Sequence, residues 1–346
     1  MEFLYFLEGI RNPVFDFIFS LITHLGEETL FLVLAIFVFW CVDKRGGYYV
    51  LMTGLIGTVV NQWLKLAFRI PRPWVIDPSF SAVESAIPEA TGYSFPSGHT
   101  QNIAGTFGSI FAFFKRKGLR IAAIVIIILV AFSRMYLGVH TPLDVGVSLL
   151  VAFVLVAVLY PVFKSEESFH KYMPFVVIGS VAVTLAFFIY VNVISPEGHE
   201  AVNLESGMKN GATLFGCMLG LLVVYPIDRF VTKFETGGKW YAQVIKLVLG
   251  LIGVLLIKEL GRPVLEALVG IFTPAPVYIA RAIRYFLIVV FAGAVWPLSF
   301  GFFKHLTIPA LDRFGERVSA IFKKRTTVAE GAEPTAGEAN GEGSEG

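Results

Sequence analysis

Charge is scarce in this sequence. Only 16% of its 346 residues are Asp, Glu, Lys or Arg, against about 25% in an average soluble domain. With 55% hydrophobic residues and a mean hydropathy of +0.71, a disordered chain is excluded. The apolar surface also exceeds what one water-soluble core could bury. A net charge of +2 gives no basis for a nucleic-acid partner. Cysteine is scarcer still. Cys41 and Cys217 both stand inside apolar runs, which reads as two small buried hydrophobes and excludes a disulfide framework. The first 25 residues hold a single basic residue, Arg11, so no cleavable leader is expected and the apolar spans themselves direct insertion. No internal repeat is visible.

What the chain has is long apolar runs, to which Phe alone contributes 33 residues. A helical membrane span needs about 20 apolar residues. Nine runs qualify, roughly 26–42, 48–66, 99–114, 119–136, 143–163, 172–194, 210–226, 241–259 and 283–303. The expected fold is therefore an all-α, polytopic membrane bundle of about nine transmembrane helices. Ahead of it, Pro13 to Leu25 alternates apolar residues with Asp16, Ser20 and His24, as an amphipathic helix lying in the membrane interface does. Pro263 to Ala280 carries Pro274 and Pro276 and is expected not to cross. Four regions follow: an interfacial segment 1–25, a core 26–163, additional helices 164–303, and a tail 304–346. From Thr326 the tail holds five Glu and no basic residue, the composition of a solvated, disordered end. Gly216 with Gly220, and Gly105 with Gly108, suit close helix packing in lipid.

Orientation follows from the basic residues of the loops. One set of loops carries 17 of the 28 Lys and Arg residues, including Lys44, Lys115, Arg116 and Lys117; the alternating set carries nine. The first set is expected to be cytoplasmic, with the N-terminus outside and the C-terminus inside.

Three clusters interrupt the apolar pattern. Lys65 and Arg72–Pro73 end the second run, Pro96–Ser97–Gly98–His99 opens the third, and Ser133–Arg134, His140 and Asp144 bridge the fourth and fifth. The assigned orientation puts all three on the outer side. Lys65, Arg72 and Arg134 would each cost several kcal/mol unpaired beside lipid. A bound phosphate resolves this, because guanidinium forks match its oxygens and Lys adds a point charge. Ser97 and Gly98 stand where a loop becomes a helix, whose free amides favour an anion. Asp144, four residues beyond His140, can fix the imidazole tautomer and leave the other nitrogen as nucleophile. His99 is then a general acid for the leaving oxygen. No Asp, Glu or His cluster has metal-ligand spacing, so neither metal nor other cofactor is expected.

These clusters, K-x6-R-P, P-S-G-H and S-R-x5-H-x3-D, resemble the signature of the type 2 phosphatidic acid phosphatase superfamily, without departure at any charged or catalytic position. The resemblance covers about residues 26 to 163. It implies a metal-independent phosphatase with His140 as nucleophile, Asp144 as its partner and His99 as general acid. Lys65, Arg72, Ser97, Gly98 and Arg134 would bind phosphate. The implied substrate is a lipid phosphate or diphosphate, of phosphatidic acid, isoprenyl or sphingoid type, met by a site on the outer face of the plasma membrane. The flanking aromatics Phe68, Trp74 and Phe95 suit sideways entry of a lipid headgroup, and the 75–94 linker is long enough to lid the pocket. Two alternatives stand beside this reading: a transporter or scramblase on the same helices, for which Lys246 is the one ionisable group deep in a late span, and a phosphatase for a small soluble ester such as a sugar phosphate.

Overall fold

A computed structural model describes residues 1–194, 200–273, 276–315 and 317. Among them there is no β-strand. The helices run α1 (Glu2–Gly9), α2 (Pro13–Thr23), α3 (Glu28–Phe37), α4 (Lys44–Phe68), a single turn α5 (Pro73–Ile76), α6 (Gly98–Phe113), α7 (Lys117–Tyr136) and α8 (Pro142–Phe163). Then come α9 (Glu166–Val193), α10 (Ala201–Ile227), α11 (Trp240–Gly270), α12 (Pro276–Val290) and α13 (Phe300–His305).

Seven helical stretches are long and apolar enough to cross a membrane, and eight if the bent pair Pro13–Gly26 and Glu28–Val42 makes one span. The count of nine is thus not reached on length and composition. The remaining run is α6, only 16 residues long and studded with Thr, Gln, Asn and Ser. It lies centrally, packed by α4, α7 and α8, and can be short and polar because protein rather than lipid surrounds it. Elsewhere the apolar surface faces outward. Only 22% of the most apolar window of α11 is buried, as expected where lipid is the solvent.

Three boundaries differ from the sequence reading. Residues 263–270 continue α11 through Pro263 rather than forming a separate non-crossing piece, and residues 274–275 lie outside the described residues. The seventh run begins nine residues earlier, at Ala201. And α2 is no isolated interfacial helix, because its inner face packs on α7. The Phe19 ring lies 4.4 Å from that of Tyr136, whose hydroxyl donates to Asp16 at 2.9 Å. The acidic tail lies outside the described residues.

Helices α9 to α12 are joined to the core by more than apolar contact. At the α4 start, Lys44 pairs with buried Asp228 at 3.0 Å, and the Tyr48 hydroxyl donates to the same carboxylate at 3.2 Å. Tyr48 belongs to one large apolar cluster containing Trp40, Tyr49, Met52, Phe163, Met173 and Met218. Lys246 is equally held: its ammonium donates to the Trp40 carbonyl at 2.8 Å and lies 4.3 Å from the centre of the Phe300 ring. The alternating course of the helices then brings the C-terminal ends of α4 and α7 together with the N-terminal ends of α6, α8 and α10, at the pole opposite this cluster.

Candidate active site

Local sequence sets the three clusters in place. Helix α4 stops at Arg69, which adopts a left-handed conformation at φ +52°; Pro71 keeps the chain from resuming it at once, and Pro73 opens the single turn α5. Lys65 is left in its last turn. Ser97 caps α6, its hydroxyl oxygen accepting from Thr100 N at 3.4 Å and from Thr100 Oγ1 at 3.0 Å. Thr141 and Asp144 form a reciprocal capping box at the start of α8, with Pro142 at the first helical position. Between α7 and α8 the chain turns at Gly138 with φ +76°, where a Cβ would stand 2.5 Å from the Arg11 guanidinium. Only glycine fits both the angle and the space.

The three clusters meet around one cavity of about 170 Å³. Lys65, Arg72, Gly98, His99, Arg134 and His140 line it. Ser97 and Asp144 stand immediately behind: Ser97 N donates to the Asp144 carbonyl at 3.3 Å, and Ser148 Oγ donates to the Ser97 carbonyl at 2.9 Å. All eight residues singled out in the sequence are therefore brought together.

Arg72 is the centre of the arrangement. Its Nη1 donates to the Val139 carbonyl at 2.9 Å and lies 3.0 Å from His140 Nε2. Its Nε and Nη2 donate to the carbonyls of Gly92 and Thr91, at 3.1 and 2.8 Å. One guanidinium thus ties the loop after α5 to the turn carrying His140. Lys65 donates to the Tyr93 carbonyl on the same loop. Arginine can only donate, so His140 Nε2 is the accepting nitrogen, and the proton is assigned to Nδ1. That Nδ1 lies 3.5 Å from Asp144 Oδ2 and has no closer partner. Burial first, then the adjoining Arg72 charge, hold the His140 imidazole well below its ordinary range, which favours the neutral ring. Asp144 Oδ2 also accepts from Ser94 Oγ at 2.6 Å and from Thr141 N at 2.8 Å.

Several buried polar atoms around the cavity have no partner: Arg134 Nε, His99 Nε2, Asn61 Oδ1 and both amide atoms of Gln101. Unpaired buried polar groups are costly, and a polyoxygen anion between Arg134 and His99 would satisfy donors of this kind.

Other wall residues were not singled out in the sequence. Asn61 and Gln101 belong to helix patterns that read as membrane spans. Glu28 stands at the start of α3, Glu89 on the 77–97 loop, and Ser206 and Asn210 come from α10, outside the motif region. A polar i, i+4 pair on the first turns of α10 was the available signal. The aromatics Phe68, Trp74 and Phe95 do not line the cavity. Phe68 and Phe95 stack edge-on at 5.0 Å, while Trp74 packs under the loop near Ala86 and Tyr136. The fold also assembles a group that sequence spacing does not reveal. His24, Glu27 and Glu89 place ligand atoms within 4.8 Å of one another, and Glu89 also lines the cavity. Among the described residues this is the set able to hold a metal ion.

Comparison with known proteins agrees with this geometry. Residues 45–168 match the PAP2 superfamily, and residues 212–307 match a PAP2 superfamily phosphatase transmembrane extension. The chain is 34% identical to undecaprenyl-diphosphatase BcrC of Bacillus subtilis over 147 residues, 42% of this chain and 73% of the relative.

The chain belongs to the PAP2 superfamily.

It is a multi-pass membrane phosphatase with the superfamily's transmembrane extension. Sphingosine-1-phosphate phosphatase 1 of Mus musculus is 25% identical over 296 residues, 80% of this chain and 67% of the relative. Phosphatidylglycerophosphatase B of Bacillus subtilis is 32% identical over 149 residues, 39% of this chain and 69% of the relative. No solved structure matches.

Proposed function

We propose that this PAP2 phosphatase hydrolyses the phosphate monoester or diphosphate of a lipid through a phosphohistidine on His140. The observation that carries the reading is the convergence of Lys65, Arg72 and Arg134 on the cavity that receives His140, with Arg72 Nη1 3.0 Å from His140 Nε2. A phosphate entering the cavity takes over this Arg72 donor and frees the Nε2 lone pair. Nε2 attacks phosphorus, the P–O bond to the leaving group breaks, and the electron pair leaves on that oxygen, of the lipid alcohol in a monoester or of the lipid monophosphate in a diphosphate, which His99 protonates. Nδ1 of His140 keeps its proton, directed at the Asp144 carboxylate, whose negative charge stabilises the positive imidazole formed. Water then gives a proton back to His99 and attacks phosphorus, the P–N bond breaks, and inorganic phosphate leaves. The three cations offset the oxyanion charge in the transition state.

The lipid class rests on chemistry shared by the relatives, each named for a phosphate on a long apolar tail. Helix α10, which leads into the extension, has a part in this reading: its Ser206 and Asn210 line the cavity with the cations and set headgroup preference. The excess of basic residues at the other pole supports an extracytoplasmic site in the plasma membrane and a cytoplasmic C-terminus. Lys246, the one feature favouring a transporter, is fully engaged in packing.

Phosphate release from a panel of lipid phosphates and a sugar phosphate, with and without EDTA, tests the reading. Release from at least one lipid phosphate, undiminished by the chelator, is expected. Release from the sugar phosphate alone, or activity abolished by EDTA and restored by magnesium, would overturn it.

A further inference from the structure

The described residues enclose a second hollow larger than the candidate catalytic cavity. Helices α7 and α8 each pack closely on α6 but hardly touch each other. Between them opens a groove of about 930 Å³, walled by Ile124, Ile128, Phe132, Leu149, Phe153 and Ala157 among others. It shares no lining residue with the catalytic cavity, so it does not continue the route of a substrate tail. On α7 it extends from Arg120 to Met135, roughly 22 Å at 1.5 Å per residue. That exceeds the ~15 Å depth of one hydrocarbon leaflet.

The groove is apolar except at one end. There, at the α6–α7 turn, Lys115 and Arg120 are its two charged lining residues. Their side chains are laid along the rim. Lys115 Nζ donates to the Ala112 carbonyl at 2.8 Å and stands 5.2 Å from the centre of the Tyr160 ring. Arg120 Nε donates to the Phe111 and Phe114 carbonyls at 3.1 and 3.2 Å, and the guanidinium lies over the Phe111 ring. Among the described residues neither cation has a carboxylate within ion-pair distance. Two fixed, uncompensated cations at the mouth of an acyl-width apolar slot complement one kind of molecule: a lipid with an anionic headgroup and a chain long enough to lie between α7 and α8.

We propose that the α6–α7–α8 groove is a binding site for an anionic phospholipid, with its phosphate at Lys115 and Arg120 and one acyl chain between the splayed helices. The bound lipid fills the gap that direct α7–α8 packing leaves and so braces α7, which carries Arg134 at its far end. The inference rests on the membrane reading of the fold and is independent of which substrate the enzyme hydrolyses.

Native mass spectrometry of the full chain in mild detergent, titrated with phosphatidylglycerol or phosphatidylcholine, tests it. One phosphatidylglycerol should bind in preference to phosphatidylcholine. Each cation beside an anionic surface contributes about fivefold, so K115Q/R120Q should lower that preference by up to about 30-fold. Ala157 is exposed and Ala157→Trp fills the slot, so that variant should also lose the bound lipid while keeping its fold. R116Q/K117Q removes two neighbouring charges that do not line the groove and should leave binding intact. Equal binding of the two lipids, equal losses in R116Q/K117Q and K115Q/R120Q, or unchanged retention in Ala157→Trp would overturn the proposal. The first outcome would mean that headgroup charge is not recognised, the second would reduce the effect to general surface charge, and the third would place the chain elsewhere.

Discussion

Replacing Asp144 by Asn separates catalysis from folding at a residue that serves both. Asp144 Oδ2 accepts from Ser94 Oγ at 2.6 Å and Thr141 N at 2.8 Å, and lies 3.5 Å from His140 Nδ1. An Asn amide is nearly the same shape and keeps one acceptor oxygen. With that oxygen toward Thr141 N the capping box survives, and its partial loss costs at most about 1 kcal/mol. The negative charge, however, is gone. His140 loses the group that fixes its tautomer and that neutralises the imidazole as it becomes phosphorylated. By analogy with the orienting aspartate of serine proteases, turnover should fall about 10²- to 10⁴-fold, or about 2.7–5.4 kcal/mol in activation free energy. Ser94→Ala is the control: it removes one hydrogen bond to the same oxygen, worth about 0.5–1.5 kcal/mol, and should slow the reaction by no more than about tenfold. The assay is phosphate release from a short-chain lipid phosphate in detergent, alongside thermal unfolding of each variant. Wild-type turnover in Asp144→Asn would refute the assigned role. So would a rate loss matched by an equal loss of folded protein, since Asp144 would then be a helix cap and nothing more.

Three further outcomes follow. His140→Ala should abolish turnover and acid-labile phosphoprotein, whereas His99→Ala should slow poor leaving groups far more than an activated aryl phosphate; phosphate trapped on His140→Ala at wild-type level would identify a different nucleophile. Gly216→Ala would place a Cβ 2.2 Å from the Ala282 carbonyl oxygen where α10 meets α12. The overpacking should cost about 1–3 kcal/mol, read as a lower Tm, and an unchanged Tm would show that the two helices are less closely apposed. Reporter fusions should find the C-terminal tail in the cytoplasm and the connection between α9 and α10 outside it; a tail reporter active only outside would move the catalytic pole to the inner leaflet.

Much of this protein was legible as sequence because lipid imposes simple rules. A helix in hydrocarbon must satisfy its backbone internally, so long apolar runs marked α4 and α7 to α12 directly. Charged residues beside such runs are costly, so Lys65, Arg72, Arg134, His140 and Asp144 stood out against their surroundings, and their spacing marked the superfamily. The same rules say nothing of how α6 and α2 are packed. Helix α6 is shielded by α4, α7 and α8 and need not be long or apolar, and α2 is drawn onto α7 through Phe19 and Asp16.

The sequence by itself determined that the chain is a membrane helical bundle and singled out eight side chains that the fold gathers at one site, because both are written in local composition and short spacing. Only the tertiary structure decided which partners those side chains keep. Arg72 joins Thr91 and Gly92 to His140 across 68 residues, and Ser94 reaches Asp144 across 50. Ser206 and Asn210 reach the cavity wall from α10, far downstream of the motifs. The groove between α7 and α8 is likewise invisible in either helix alone, since each is apolar nearly all round. Whether two such surfaces close on each other or part to admit a lipid is settled by how both pack on α6, a property of three helices together.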